Sequence, residues 1–362
     1  MYSSFEVKNL RCFQDLKISA FERVNLIAGM NNVGKTTLLE ALFIHGGSFN
    51  PELTFRVNAF RGIEQIKIEF DRWAASPWEN LFHQFDESKA IELAGENTVT
   101  GKKTVKLAVE RDVAELKKLR GNHSPFAIEP PKGTISTHDT AKVLKLEYKE
   151  KGISQNYYMI IEPGGMIHRD PIPPEPPFPT FYLSPRAPNL FQESADLYGK
   201  LMIENKQAII FNVLKIIEPR LKKIEIIPVA GISIFHGDIG LPKMVALPFM
   251  GEGMVRLANL FTRIANCQNG VILIDEIENG IHHSVMEKLW TAIGKTAREF
   301  NIQVFATTHN WGCIVAAHKA FLESGKYDFR LHRLDMVNGQ IKSVTYDQES
   351  LEAALENNFE VR

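Results

Sequence analysis

The chain has 362 residues, 44% hydrophobic and 23% charged, with a formal net charge of −1. That is enough apolar material for a sizeable core, and length for two or three domains or one large elaborated one. It excludes a global basic field that would hold the chain on nucleic acid.

Cys12, Cys267 and Cys313 are widely spaced and form no C-x-x-C pair. This argues against a zinc site or a disulfide framework and fits three buried, reduced thiols in a cytoplasmic protein. The N-terminus lacks the basic start and apolar stretch of a signal peptide, and no run approaches the ~18 apolar residues of a membrane span. A soluble protein with no membrane partner is expected.

In chain order, residues 5–28 read as short strands: Phe5–Leu10, Leu16–Ile18 and the apolar Val24–Ala28. Gly29-Met30-Asn31-Asn32-Val33-Gly34-Lys35-Thr36 follows and satisfies G-x-x-x-x-G-K-[ST] between that strand and a helix opening at Thr37. The glycines let the backbone turn its N–H groups inward, the helix start adds partial positive charge and Lys35 a full one. This is a cradle for the β and γ phosphates of a nucleoside triphosphate, with the Thr36 hydroxyl offered to Mg²⁺.

The middle region, roughly 45–180, reads as β-rich. Ile66–Phe70, Thr104–Val109 and Val143–Tyr148 carry strand patterns, and Trp78–Phe82 a short helix. Six prolines between Asp170 and Thr180 forbid helix and predict a rigid connecting loop. Phe181–Ser184 is strand-like, residues 190–217 have helical apolar spacing, and Lys222–Val229 and Gly231–Phe235 return to strands. No internal repeat or sustained heptad pattern is present.

From residue 247 a second group of motifs begins. Gly251-Glu252-Gly253 opens a helix, and a glycine-bearing helix start is an anion site. It lies too close in sequence to the next strand to serve its own phosphate loop, so a second copy's nucleotide is the more natural target. Val271–Ile274 is a buried-strand run ending in Asp275 and Glu276. Such a strand is expected beside the phosphate-loop strand, where Asp275 can reach Mg²⁺ and Glu276 can deprotonate an attacking water. The amphipathic segment His282–Phe300 and the strand Gln303–Thr307 then make a strand–helix–strand unit, which places the two strands parallel and His309 near the γ-phosphate.

The order of these elements resembles ABC-type ATPase heads. The Asn31-Asn32 loop, Met250–Gly253, Ile274–His283 and Thr307–His309 resemble the SMC and OLD branch of that group. The resemblance implies an α/β fold: an ABC-type P-loop ATPase head with a mixed β-sheet, an inserted β-rich lobe and a small helical lobe. It divides the chain into an N-terminal ATPase half (1–44), the β-rich lobe (45–180), a helical and strand lobe (181–246) and a C-terminal ATPase half (247–362).

The implied cofactors are ATP and Mg²⁺. Asn31, Asn32, Gly34, Lys35, Thr36 and Thr37 would bind nucleotide, and Gly251 and Gly253 would clamp it across a head-to-head dimer. Thr36 and Asp275 would hold the metal, Glu276 is the general base, and His309 is the switch residue, with Lys35 in the catalytic set. The signature departs from Ser-Gly-Gly, so slow turnover is expected. The glutamine that couples head to lobe has three candidates, Gln65, Gln155 and Gln192. His282 and His283 are expected to cap or contact rather than bind metal.

Full-length OLD proteins continue into a Toprim nuclease domain. The segment after His309 is expected to finish the ATPase sheet, so any effector, a nuclease or toxin, would be a separately encoded partner in antiviral defence. The alternative is a DNA-gripping repair or chromosome-associated ATPase, with Lys102, Lys103, Lys117, Lys118, Arg120, Arg220, Lys222 and Lys223 as candidate grips. A transporter subunit fits the motifs least.

Overall fold

The computed structural model describes residues 1–61, 76–97, 101–111, 142–161, 167–185 and 191–362. Strands β1 (Tyr2–Leu10), β2 (Phe13–Ser19) and β3 (Val24–Gly29) lead into helices α1 (Lys35–Gly46) and α2 (Leu53–Ala59). Next come β4 (Ile91–Asn97), β5 (Gly101–Val109), β6 (Lys142–Glu150), β7 (Ile153–Ile161), β8 (Ile167–Asp170) and β9 (Thr180–Leu183). Helices α3 (Phe191–Ile203) and α4 (Ala208–Ile217) precede β10 (Lys223–Val229), β11 (Ile232–Asp238) and β12 (Val245–Ala246). The last stretch is α5 (Glu252–Ala265), β13 (Val271–Ile274), α6 (Met286–Glu299), β14 (Gln303–Thr307), α7 (Trp311–Glu323), β15 (Phe329–Val337), β16 (Gln340–Tyr346) and α8 (Gln348–Glu356). The expected strand at Ile66–Phe70 lies outside the described residues, and Trp78–Phe82 contains one 3₁₀ turn, Glu79–Leu81.

A six-stranded mixed sheet runs β16-β15-β3-β14-β13-β9. Its strands β15, β3, β14, β13 and β9 are parallel to their neighbours, and β16 returns antiparallel. The acid-bearing β13 is therefore not beside β3, as the sequence suggested. β14 lies between them, because the α6 crossover from β13 lands on the inner edge next to the phosphate-loop strand.

Alternation along these strands feeds two cores. Ile272, Ile274, Val304 and Ala306 face the layer of α5, α6 and α7, while Val271, Leu273 and Phe305 face the layer containing α1. Above α1 lies a seven-stranded antiparallel sheet, β2-β1-β4-β5-β6-β7-β8. The β-rich middle is thus continuous with the N-terminal strands, since β4 pairs along the free edge of β1.

One lysine of that sheet faces inward. Lys103 on β5 is only 5% exposed. Its ammonium donates to Ser48 Oγ at 2.7 Å just past the end of α1, and sits 5.0 Å from the Phe178 ring centroid. Burial pulls its pKa down from 10.5 to about 8, partly offset by Glu150 opposite on β6. Between these two values the unfolded chain binds more protons, so stability rises with pH across that window and is lowest below it. Lys103→Met is expected to stabilise the protein at pH 7 by roughly 1–3 kcal/mol and to flatten the alkaline rise. Urea melts at neutral and alkaline pH check this, and a variant less stable at both would reject it.

Candidate functional site

The site begins with the turn after β3. Gly29 (φ +138°) and Gly34 (φ +91°) hold backbone conformations that side chains rarely adopt. A Cβ on Gly29 would lie 2.5 Å from the Leu334 carbonyl oxygen, and one on Gly34 would lie 2.6 Å from the Phe13 ring. The loop is therefore wedged between β15 and the β1–β2 turn, with the N-terminus of α1 at its end. Lys35 Nζ donates to the Gly29 and Met30 carbonyl oxygens at 2.6 and 2.8 Å. Desolvation lowers its pKa, and the nearby acids Asp275, Glu278 and Glu276 oppose this.

The acids arrive from β13 at the same end of the sheet. Asp275 is buried, and both its carboxylate oxygens accept from the Thr36 hydroxyl, at 3.2 and 3.0 Å. The Thr307 hydroxyl donates to Asp275 Oδ1 at 2.6 Å and accepts from the Glu276 N–H at 2.8 Å. Glu276 sits in a left-handed turn (φ +49°). Arg256 of α5 clamps that turn: its Nη2 donates to the Asp275 carbonyl oxygen at 2.9 Å and also to that of Glu276. His309, just past β14, is half-exposed.

A cavity of about 650 Å³ gathers these groups. Asn31, Asn32, Gly34, Lys35, Thr36, Thr37, Asp275, Glu276 and His309 all line it. Gly251 and Gly253 do not. Gly251 opens α5 with nothing within 4 Å of where its Cβ would be, while Gly253 abuts the Gly280 carbonyl oxygen.

Sequence reading missed several residues of the site. Arg11, Cys12 and Arg61 line the same cavity. Arg11 and Arg61 pair with Glu40, a carboxylate of α1 that is 1% exposed, at 2.9 and 2.7 Å. A lone buried carboxylate needs such partners, and its position among Leu38, Leu39, Ala41 and Leu42 was the available signal. Cys12 was expected to be buried; it is only half-buried because it forms part of the cavity wall.

Of the glutamine candidates, Gln65 lies outside the described residues. Gln155 accepts from Tyr157 on β7, and Gln192 donates to Asp196 on α3. The segment after β9 that lines the cavity is Ser184-Pro185. His282 accepts from the Ser284 N–H as a cap, and among the described residues no cluster of three or more His, Cys, Asp or Glu could hold a metal.

Of the candidate DNA grips among the described residues, one is buried and two sit in surface ion pairs. Lys103 is buried and cannot meet a phosphate backbone. Lys102 faces Glu96 across β4–β5, Arg220 pairs with Glu218 and Lys223 with Glu225. Lys117, Lys118 and Arg120 lie outside the described residues. Among the described residues no helix is long and apolar enough to cross a membrane.

Comparison with known proteins agrees with this geometry. Residues 1–162 match the AAA ATPase domain family. Residues 154–312 match an AAA domain family whose description names the AbiEii toxin and a type IV toxin–antitoxin system. An ATP/GTP phosphatase of Helicobacter pylori is 22% identical, covering 99% of this chain and 98% of that protein. An SMC head solved with the C-terminal winged-helix domain of ScpA has a TM-score of 0.50 at 14% identity, covering 98% of this chain and 99% of that one. The Pyrococcus furiosus Smc head with an extended coiled coil, bound to the C-terminal domain of ScpA, has a TM-score of 0.49 at 12% identity, over 99% of each chain. With its phosphate loop, acid strand and SMC-head-like mixed sheet, the chain has an ATPase fold consistent with the ABC-type P-loop architecture, and its AAA-domain matches and phosphatase relative support ATP hydrolysis.

Proposed function

We propose that this ATPase is an OLD-like head that closes with a second copy around Mg-ATP and, through that cycle, controls a separately encoded effector, a nuclease or toxin, in antiviral defence. One observation carries the reading. The phosphate loop and the Asp275–Glu276 turn meet in one cavity, while the glycines that open α5 stand outside it, Gly251 on open surface and Gly253 packed against the Gly280 carbonyl oxygen. A copy whose own cavity lacks those glycines can receive them from a neighbour. Phe249, 87% exposed just before Gly251, adds apolar surface at the same place. The family description that names a toxin–antitoxin system supports the effector part by analogy.

In this reading Lys35, Gly34 and the α1 N–H groups neutralise the β and γ phosphates. The Thr36 hydroxyl and Asp275 carboxylate, already in contact, would hold Mg²⁺, which would supply charge neutralisation to the triphosphate. Glu276 accepts a proton from water as the water oxygen bonds to the γ-phosphorus. The bond from that phosphorus to the bridging oxygen breaks, and ADP leaves with the electron pair. Arg256 and Thr307 hold the main chain of Glu276 in place. Asn31, Asn32 and Thr37 complete the cradle, and His309 meets the γ-phosphate.

Light scattering tests the assembly step. Mg-ATP, or a non-hydrolysable analogue, is expected to raise the solution mass at least twofold, and ADP is not. An unchanged mass at saturating nucleotide would remove the trans-clamping mechanism.

A further inference from the structure

His309 has a carboxylate partner, and it is not the acid that follows Asp275. The His309 N–H donates to Glu278 Oε1 at 3.1 Å, and the imidazole Nδ1 lies 3.3 Å from the same oxygen. Glu278 stands on the turn between β13 and α6. Its side chain is only 10% exposed, against 57% for that of His309. Its second oxygen is buried without a hydrogen-bond partner. A buried carboxylate oxygen without a hydrogen bond costs stability, offset in part by the nearby charges of Arg256 and Lys35. Glu276, which lines the cavity, has its main chain fixed by Thr307 and Arg256.

We propose that Glu278 is the positioning residue of His309. A carboxylate only accepts, so the hydrogen shared by the pair belongs to Nδ1, and Nε2, which needs a hydrogen of its own to donate to the γ-phosphate, is the nitrogen left available. The second bond, to the main-chain N–H, fixes where His309 leaves the end of β14. At 3.3 Å the side-chain contact is loose, as such contacts are before substrate closes a site. The inference rests on the reading of His309 as the γ-phosphate contact.

Two measurements test it. In steady-state kinetics Glu278→Ala is expected to lower kcat roughly tenfold with KM within about twofold, as outer-shell histidine partners do. Glu278→Gln, which keeps an acceptor oxygen without the charge, should lose less. In a His309→Ala background Glu278→Ala should add nothing; an equal loss with and without the imidazole would overturn the proposal. If Glu278→Ala does not fold, Glu278→Gln carries the same cycle.

Nitrogen-15 imidazole spectra of the nucleotide-free protein read the pair without turnover. Glu278→Ala, which removes the acceptor, should move His309 away from the Nδ1–H tautomer, and an unchanged spectrum overturns the proposal. If His309→Ala leaves kcat at the wild-type value, the γ-phosphate role of His309 fails, while the spectra still decide whether Glu278 sets its tautomer.

Discussion

Glu276→Gln is expected to cut kcat by roughly 10²–10⁴, the usual worth of a positioned general base, while ATP still binds. The substitution is nearly isosteric and leaves the left-handed turn, the Thr307 bond and the Arg256 clamp untouched, because all of them engage main-chain atoms. What is lost is the proton acceptor for the attacking water. The triphosphate then persists, and the nucleotide-bound assembly should accumulate instead of cycling. Single-turnover phosphate release, run beside light scattering, reads both effects. A kcat within threefold of wild type would mean that another group takes the proton.

The second large effect is expected at Lys35. Lys35→Ala should weaken triphosphate binding by roughly a hundredfold, about 3 kcal/mol for lost charge-assisted hydrogen bonds in a partly desolvated site. The Lys35 ammonium already bridges two carbonyl oxygens of the loop, so it is held at the cradle before phosphate arrives. Stability should change little, since its partners are loop carbonyls rather than a core network. Calorimetry with Mg-ATP gives the affinity and a thermal melt the fold. Wild-type affinity in a folded variant would place the phosphates elsewhere.

Much of this site was legible in the sequence because its parts are local. Eight consecutive residues encode the cradle, and one strand run ends in Asp275-Glu276. Both need only short-range spacing to be read, and the helix between β13 and β14 announces their parallel pairing. Strand order was not legible. That β14 separates β3 from β13 depends on which edge the α6 crossover reaches, a tertiary choice that periodicity does not carry. The side chains that orient the machinery were equally hidden. Arg256 meets the acid turn across a helix–sheet contact, Glu278 meets His309 between two loops, and Arg11, Glu40 and Arg61 come together from three elements. Each looks like an ordinary charge on its own element. The inward direction of Lys103 was missed for a related reason: Lys102 and Lys103 read as one surface pair, but neighbouring strand residues point to opposite faces.

The bonds from Arg256 to the two acid carbonyls have a mechanical corollary. Arg256 lies about one helical turn, roughly 6 Å, beyond Glu252 at the start of its helix, so a short rigid arm joins the outer glycine face to the hydrolytic turn. Pressure on that face cannot rotate the helix without pulling on the backbone that aims Glu276. Under the proposed closure of two copies, a neighbour leaning on that flank would tug the main chain behind Glu276, and cleavage would be timed by touch as well as by chemistry.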